Sequence, residues 1–165
     1  MTISRILVPL LAAACFIAQA APAQGLLERT REASRRSHPV AVPPGAAAVR
    51  NVAYGADPAQ RFDVYLPNNA RSAPVVFYVH GGGWANGDKT NPGLDNKLRY
   101  WLPKGYAVIS ANYRLVPQAQ PREQARDVAR AVALAQRRAR EWNLDPARFV
   151  LMGHSAGAHL VALLG

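Results

Sequence analysis

The sequence predicts an α/β fold, with a mostly parallel sheet and flanking helices. Three observations lead there. Short runs at 74–79, 106–111 and 148–152 have the apolar, β-branched and aromatic character of strands covered on both faces. Segments with helical periodicity lie between them, so strands and helices alternate along the chain. The first and third runs end in glycine-bearing turns, Gly81-Gly82-Gly83 and Gly153 to Gly157, which have the steric freedom for abrupt changes of direction.

Residues 1–23 read as an export signal. Arg5 supplies a positive start, Ile6 to Ala18 is apolar, and Ala18-Gln19-Ala20 or Ala21-Pro22-Ala23 offers small residues for cleavage. The uninterrupted apolar run is about a dozen residues, short of the roughly 20 that a spanning helix needs, so no stable membrane anchor is expected. Cys15 is the single cysteine, and Ala12 stands where a lipoprotein leader usually carries a larger aliphatic side chain. Cleavage after Ala20 or Ala23 removes it, leaving a mature chain without disulfide or thiol chemistry and without a cysteine-ligated metal. The expected location is periplasmic or secreted.

Residues 24–48 are rich in Arg, Ala and Pro, with His38, Pro39, Pro43 and Pro44, and read as a mobile linker. The folded domain is expected over residues 49–165. Val49 to Tyr54 and Phe62 to Leu66 look like strands split by the turn residues Gly55, Asp57 and Pro58, an antiparallel entry into the sheet. The buried strand 74–79 follows, then the glycine turn, a polar loop from Asn86 to Asn91 and a helix from about Leu94 to Leu102. The strand 106–111 comes next.

Pro121 to Trp142 has the pattern of a long helix, with Val128, Val132, Ala135, Ala139 and Trp142 along one face and Pro121 in its first turn. Arg122, Arg126, Arg130, Arg137 and Arg140 recur at helical spacing and mark a solvated side. Asp127 is expected to face away from the apolar row, to pair with Arg130 or Arg126, and to take no catalytic part. A third buried strand at 148–152 leads through a sharp turn into a helix over 156–164.

The composition excludes several classes. With 165 residues, half of them apolar, one cysteine and no periodic glycine, the chain is neither disordered nor a disulfide scaffold nor collagen-like. Its net charge of +10, from 20 Lys+Arg against 10 Asp+Glu, is spread along the sequence. No element gathers basic and aromatic residues as a nucleic-acid surface does, so no nucleic-acid partner is expected. No His, Cys, Asp or Glu cluster has metal-ligand spacing, and no metal or other cofactor is implied.

Two motifs carry chemistry. Gly153-His154-Ser155-Ala156-Gly157 lies between a strand and a helix, the setting of a nucleophile elbow, in which a strained turn presents the serine hydroxyl at the carboxyl end of the sheet. The helix that follows adds its positive amino-terminal end near a developing oxyanion. His80-Gly81-Gly82-Gly83-Trp84 also follows a strand, and its glycines can turn backbone N–H groups toward a ligand, as an oxyanion hole requires. Gly82 to Gly87 followed by Asp88-Lys89-Thr90 nearly spells a phosphate-binding loop, but Asp88 stands where lysine is needed and would repel phosphate. His154 is expected to shape the elbow and His80 to support the glycine loop. Trp84 either lines the substrate pocket or packs.

His80-Gly81-Gly82-Gly83-Trp84, Asn112-Tyr113-Arg114-Leu115 and Gly153-His154-Ser155-Ala156-Gly157-Ala158-His159-Leu160 resemble the α/β-hydrolase carboxylesterases of the hormone-sensitive-lipase and bacterial feruloyl-esterase-like group. The resemblance covers about residues 50–165. It implies an α/β-hydrolase fold, Ser155 as the catalytic nucleophile, and an oxyanion hole from the N–H groups of Gly82, Gly83 and Ala156. Small-molecule esters or amides are the implied substrates, since the related kynurenine formamidases carry similar motifs.

That chemistry also needs a histidine to take the serine proton and a carboxylate to orient it, and in this fold both follow the serine. Ten residues follow Ser155. They hold no acid, and their one histidine, His159, would adjoin Ser155 only if the serine were itself helical. The expectation is therefore an amino-terminal part of a serine esterase, with the carboxyl-terminal half of the fold, the acid and the base missing, and negligible activity for these residues alone. Two other readings stand beside it: a non-catalytic hydrolase-like binding module, and a basic anion-binding protein that the even charge distribution disfavours.

Overall fold

The computed structural model describes Gly25 and residues 39–165. The expected leader, Cys15, His38 and most of the expected linker lie outside the described residues. Five strands, β1 (Ala47–Ala53), β2 (Arg61–Leu66), β3 (Ala73–Val79), β4 (Ala107–Ala111) and β5 (Leu144–Gly153), form one sheet in the order β1-β2-β4-β3-β5. β1 and β4 flank β2 antiparallel, whereas β4 and β5 flank β3 parallel. The sheet is mixed: the antiparallel entry leads into a parallel half, in an α/β architecture.

Period-two alternation decides which helix covers which face. Phe62 and Val64 of β2, Val75, Phe77 and Val79 of β3, and Ile109 of β4 share the larger core with helix α2 (Pro121–Arg138) and helix α3 (Ala156–Ala162), through Val128, Ala131, Ala135 and Leu160. Tyr65, Tyr78 and Val108, the alternate positions, pack on the other face against Leu94 and Leu98 of helix α1 (Leu94–Trp101). Burying one such apolar side chain contributes about 1.5–3 kcal/mol. Phe62 joins the elements of the larger core, with its ring edge-on to Phe77 and Trp142 at 6.4 and 6.1 Å.

Three details differ from expectation. The long helix ends as α-helix at Arg138 and continues as a 3₁₀ turn over Ala139–Trp142, which tightens the chain so that Ala139 and Trp142 stay buried before Asn143 turns it at φ 56°. β5 begins at Leu144 and, among the described residues, pairs with β3 alone: Phe149 and Leu151 face the larger core, but Val150 on the opposite face is 55% exposed because α1 lies over β2, β3 and β4. Finally, Val40, Val42 and Ala46 already pack on the smaller core, so the chain is seated on the sheet ahead of Val49.

Candidate active site

β5 ends at Gly153 and α3 begins at Ala156, so the chain reverses within two residues. Ser155 makes the turn at φ 51°, ψ −119°, a conformation that side chains rarely adopt, that costs about 1–3 kcal/mol and that persists only where its surroundings enforce it. They do so through backbone hydrogen bonds: His154 N–H donates to the Val79 carbonyl at 3.2 Å, Gly157 N–H to the His154 carbonyl at 2.8 Å, and Ala158 N–H to the Ser155 carbonyl at 2.9 Å. Glycine at 157 lets α3 start against β3, since a Cβ there would lie 2.3 Å from the Val79 carbonyl oxygen. Ser155 is exposed at the carboxyl end of the parallel strands.

The glycine turn runs beside this elbow. A Cβ at Gly81 would lie 2.7 Å from the His154 carbonyl oxygen and 3.0 Å from Ser155 Cβ, so the two segments touch. Gly82 at φ 128° turns the loop, and its carbonyl accepts from Ala85 N–H and Asn86 N–H at 3.2 and 2.9 Å. Among the described residues, the N–H groups of Gly82, Gly83 and Ala156 have no acceptor, and the space beside Gly83 is open. Thus the structure brings Ser155, the glycine turn and the start of α3 to one end of the sheet.

The end of β4 supports the loop, and sequence reading assigned its residues no roles. The Asn112 side chain accepts from Lys89 N–H and donates to Asp88 Oδ2, the latter at 2.7 Å. Tyr113 stacks on the His80 ring with centroids 4.5 Å apart and donates to the His80 carbonyl at 2.9 Å. Arg114 grips Asp127 with Nε on Oδ2 and Nη2 on Oδ1, both at 2.7 Å. Three adjacent residues therefore hold three separate segments. The Asn112-Tyr113-Arg114 run was visible in the sequence, but its partners are 24, 33 and 13 residues away.

Asp127 corrects the sequence expectation. It is fully buried, and Arg114, not Arg130 or Arg126, is its ion-pair partner, with Gln60 Nε2 donating to Oδ1 at 2.8 Å. Asp127 does not face away from the apolar row: it lies at the flank of that row, buried beside Val128, and meets the end of β4 rather than water. Asp63, also fully buried, receives Lys89 Nζ at 2.8 Å and Asn51 N–H at 2.7 Å. Lys89 thus points into the protein, consistent with reading 82–90 as something other than a phosphate-binding loop. Burial alone would raise the Asp88 pKa, but donors from Thr90 and Asn112 outweigh it and hold the carboxyl below the usual range.

The histidines divide by role. His80 is fully buried, its Nδ1–H donates to the Gly81 carbonyl at 2.8 Å, and its Nε2 has no partner. Burial pushes its pKa below the ordinary value, because a proton on Nε2 would be a buried charge. His154 is exposed and shapes the elbow through its backbone. His159 lies one helical turn beyond Ser155 and turns Nδ1 to the Trp84 indole N–H at 3.3 Å. Trp84 is 37% exposed at the rim. Among the described residues there is no group of three or more His, Cys, Asp or Glu able to hold a metal ion, and no helix long and apolar enough to cross a membrane.

Known proteins resemble this chain in sequence and in fold. A probable isoprenylcysteine alpha-carbonyl methylesterase of Arabidopsis thaliana is 35% identical over 115 residues, covering 68% of this chain and 24% of that protein. A kynurenine formamidase of Salmo salar is 32% identical over 116 residues, covering 69% and 37%. The solved esterase B of Lactobacillus rhamnosis superposes with a TM-score of 0.64 at 31% identity, over 88% of this chain and 46% of that one. The chain spans between about a quarter and a half of these proteins. Residues 62–165 match the BD-FAE family, and the chain belongs to that family within the α/β-hydrolase fold.

Proposed function

We propose that this chain carries the nucleophile and oxyanion half of a serine carboxylic-ester hydrolase. The observation that carries the reading is the elbow: Ser155, strained and exposed between β5 and α3, with the turn 81–83 against it. Ser155 Oγ attacks the ester carbonyl carbon and loses its proton to a base. The carbonyl oxygen, now negative, lies among the N–H groups of Gly82, Gly83 and Ala156, and fixed donors of this kind are worth about 2.7–4 kcal/mol of barrier each. Collapse expels the alcohol, which takes up the proton, and leaves an acyl-serine. Water then attacks the acyl carbon and returns the serine and a carboxylic acid.

The base and its orienting acid are proposed to come from outside these 165 residues. Two contacts support this: His80 is committed to the Gly81 carbonyl and His159 to Trp84. The relatives' greater length supports it too. The 165 residues alone are then inactive. The test pairs this chain with the protein made from its full coding sequence, both assayed on p-nitrophenyl acetate. The longer protein hydrolyses the ester and loses about a million-fold in kcat on Ser155→Ala, while the 165-residue chain matches its own Ser155→Ala variant. Ser155-dependent hydrolysis by the short chain would refute the missing-base reading, and a longer protein indifferent to Ser155→Ala would leave a hydrolase-like binding module.

An aryl-formamide is the second substrate class, favoured by the likeness to a kynurenine formamidase. A higher kcat/KM for N-formylkynurenine than for p-nitrophenyl acetate would select it. Export through the 1–23 leader belongs to the same proposal, checked by amino-terminal sequencing of the periplasmic or secreted protein.

A further inference from the structure

Trp84 is the unusual residue of the loop. It follows Gly83 and sits at φ 62°, the left-handed region where a bulky side chain stays only when its surroundings fix it. Those surroundings can be named. Its carbonyl accepts from Val116 N–H at 3.0 Å and from Gln124 Nε2 at 2.8 Å, which tie it to the chain after β4 and to α2. Its indole reaches the opposite way, donating to His159 Nδ1 at 3.3 Å with the rings edge-on at 5.6 Å and 89°. His159 in turn lies on α3, where its N–H donates to the Ser155 carbonyl at 3.2 Å. One residue of the glycine loop is therefore held between α2 and the helix that carries the serine.

We infer that His159 is a positioning residue that acts through Trp84 to hold the N–H groups of Gly82 and Gly83 in register with Ser155. This rests on the elbow reading above and deepens it. The mechanism is mechanical. Left-handed backbone at Trp84 directs its indole toward α3, and the acceptor on His159 fixes it there. Without that acceptor Trp84 keeps only its carbonyl tethers to Val116 and Gln124, away from α3, and the turn at Gly82 and Gly83 can shift relative to the serine. His159 touches neither substrate nor the Ser155 hydroxyl in this role.

The test uses the 165-residue chain and reads no catalysis, so its failure is separate from failure of the esterase proposal. The chain has 3 tryptophans, which give three ¹⁹F resonances when labelled with 5-fluorotryptophan, that of Trp84 being the one lost in Trp84→Phe. His159→Ala should move the Trp84 resonance, leave those of Trp101 and Trp142 in place, and shift the backbone amide resonances of Gly82 and Gly83 in a ¹H–¹⁵N spectrum. His159→Asn should restore both signals, because asparagine Oδ1 occupies the place of Nδ1 and accepts the same proton. Unshifted Gly82 and Gly83 amide resonances in His159→Ala would overturn the inference, as would a His159→Asn variant that behaves like His159→Ala. Unshifted Trp101 and Trp142 resonances exclude general unfolding as the cause.

Discussion

The Tyr113 hydroxyl donates to the His80 carbonyl at 2.9 Å while the two rings stack 4.5 Å apart, which pins the end of β4 to the residue where the glycine turn begins. Both side chains are buried, so no water can replace the lost donor without entering the core. Tyr113→Phe keeps the stack and orphans the carbonyl. The expected cost is about 1–3 kcal/mol of folding stability, measured as a shift in the urea midpoint at unchanged slope. A midpoint equal to that of the unaltered chain would mean that the hydrogen bond contributes nothing.

Arg114 and Asp127 should respond unequally to removal. The aspartate side chain is fully buried, whereas the arginine side chain keeps 25% exposure. Arg114→Ala strands a carboxylate in the core with only Gln60 and the backbone N–H of residue 114 as donors, and breaking such a pair costs about 3–5 kcal/mol. Asp127→Ala leaves a cation that can turn to water, so the loss should be distinctly smaller. Urea titration of both variants decides the order, and a larger loss for Asp127→Ala would show that the carboxylate's contacts to Gln60 and the Arg114 backbone dominate.

What the sequence revealed and what it hid follows from the range of each interaction. Ser155 and its turn could be read because an elbow is local: five consecutive residues determine it, and the flanking patterns place it between strand and helix. The sheet with its flanking helices was readable for the same reason, since the continuous apolar character of β3 and β4 is a property of each strand alone. Asp127 was misread because helical periodicity reports only the helix's own faces, and its partner Arg114 lies on a loop whose path no pattern gives. Val150 was expected inside because apolar character marks a strand without marking its neighbours, and among the described residues β5 pairs with β3 alone. The pairing of Lys89 with Asp63 was hidden for the same reason, since it joins the loop after β3 to β2 across 26 residues.

His80 predicts an acid limit. Its folded pKa is depressed by burial below the ordinary 6.5, so in mild acid the unfolded chain binds a proton that the folded one refuses. The sign follows: His80's contribution is complete above the unfolded value near 6.5 and is lost as pH falls below it, until the folded form also takes the proton. Urea midpoints recorded from pH 8 to pH 5 should be level at first and then decline. His80→Asn, whose amide can still donate to the Gly81 carbonyl, should flatten that decline. A decline of the same size in the variant would assign it to other groups.

Gly157→Ala tests whether the elbow depends on contact between α3 and β3. The added Cβ would meet the Val79 carbonyl oxygen at 2.3 Å and the His80 carbonyl oxygen at 2.5 Å, both backbone atoms that cannot swing aside. Alanine is the better helix former by about 1 kcal/mol, so propensity alone predicts a gain. The steric conflict outweighs it, because relief requires α3 to withdraw from β3 and to take His154 and Ser155 with it. The expected outcome is a loss of about 1–3 kcal/mol, the range for overpacking a tight contact, together with a loss of the Ser155-dependent ester hydrolysis proposed above for the longer protein. Enhanced stability with activity retained would show that the two elements are not in contact as described.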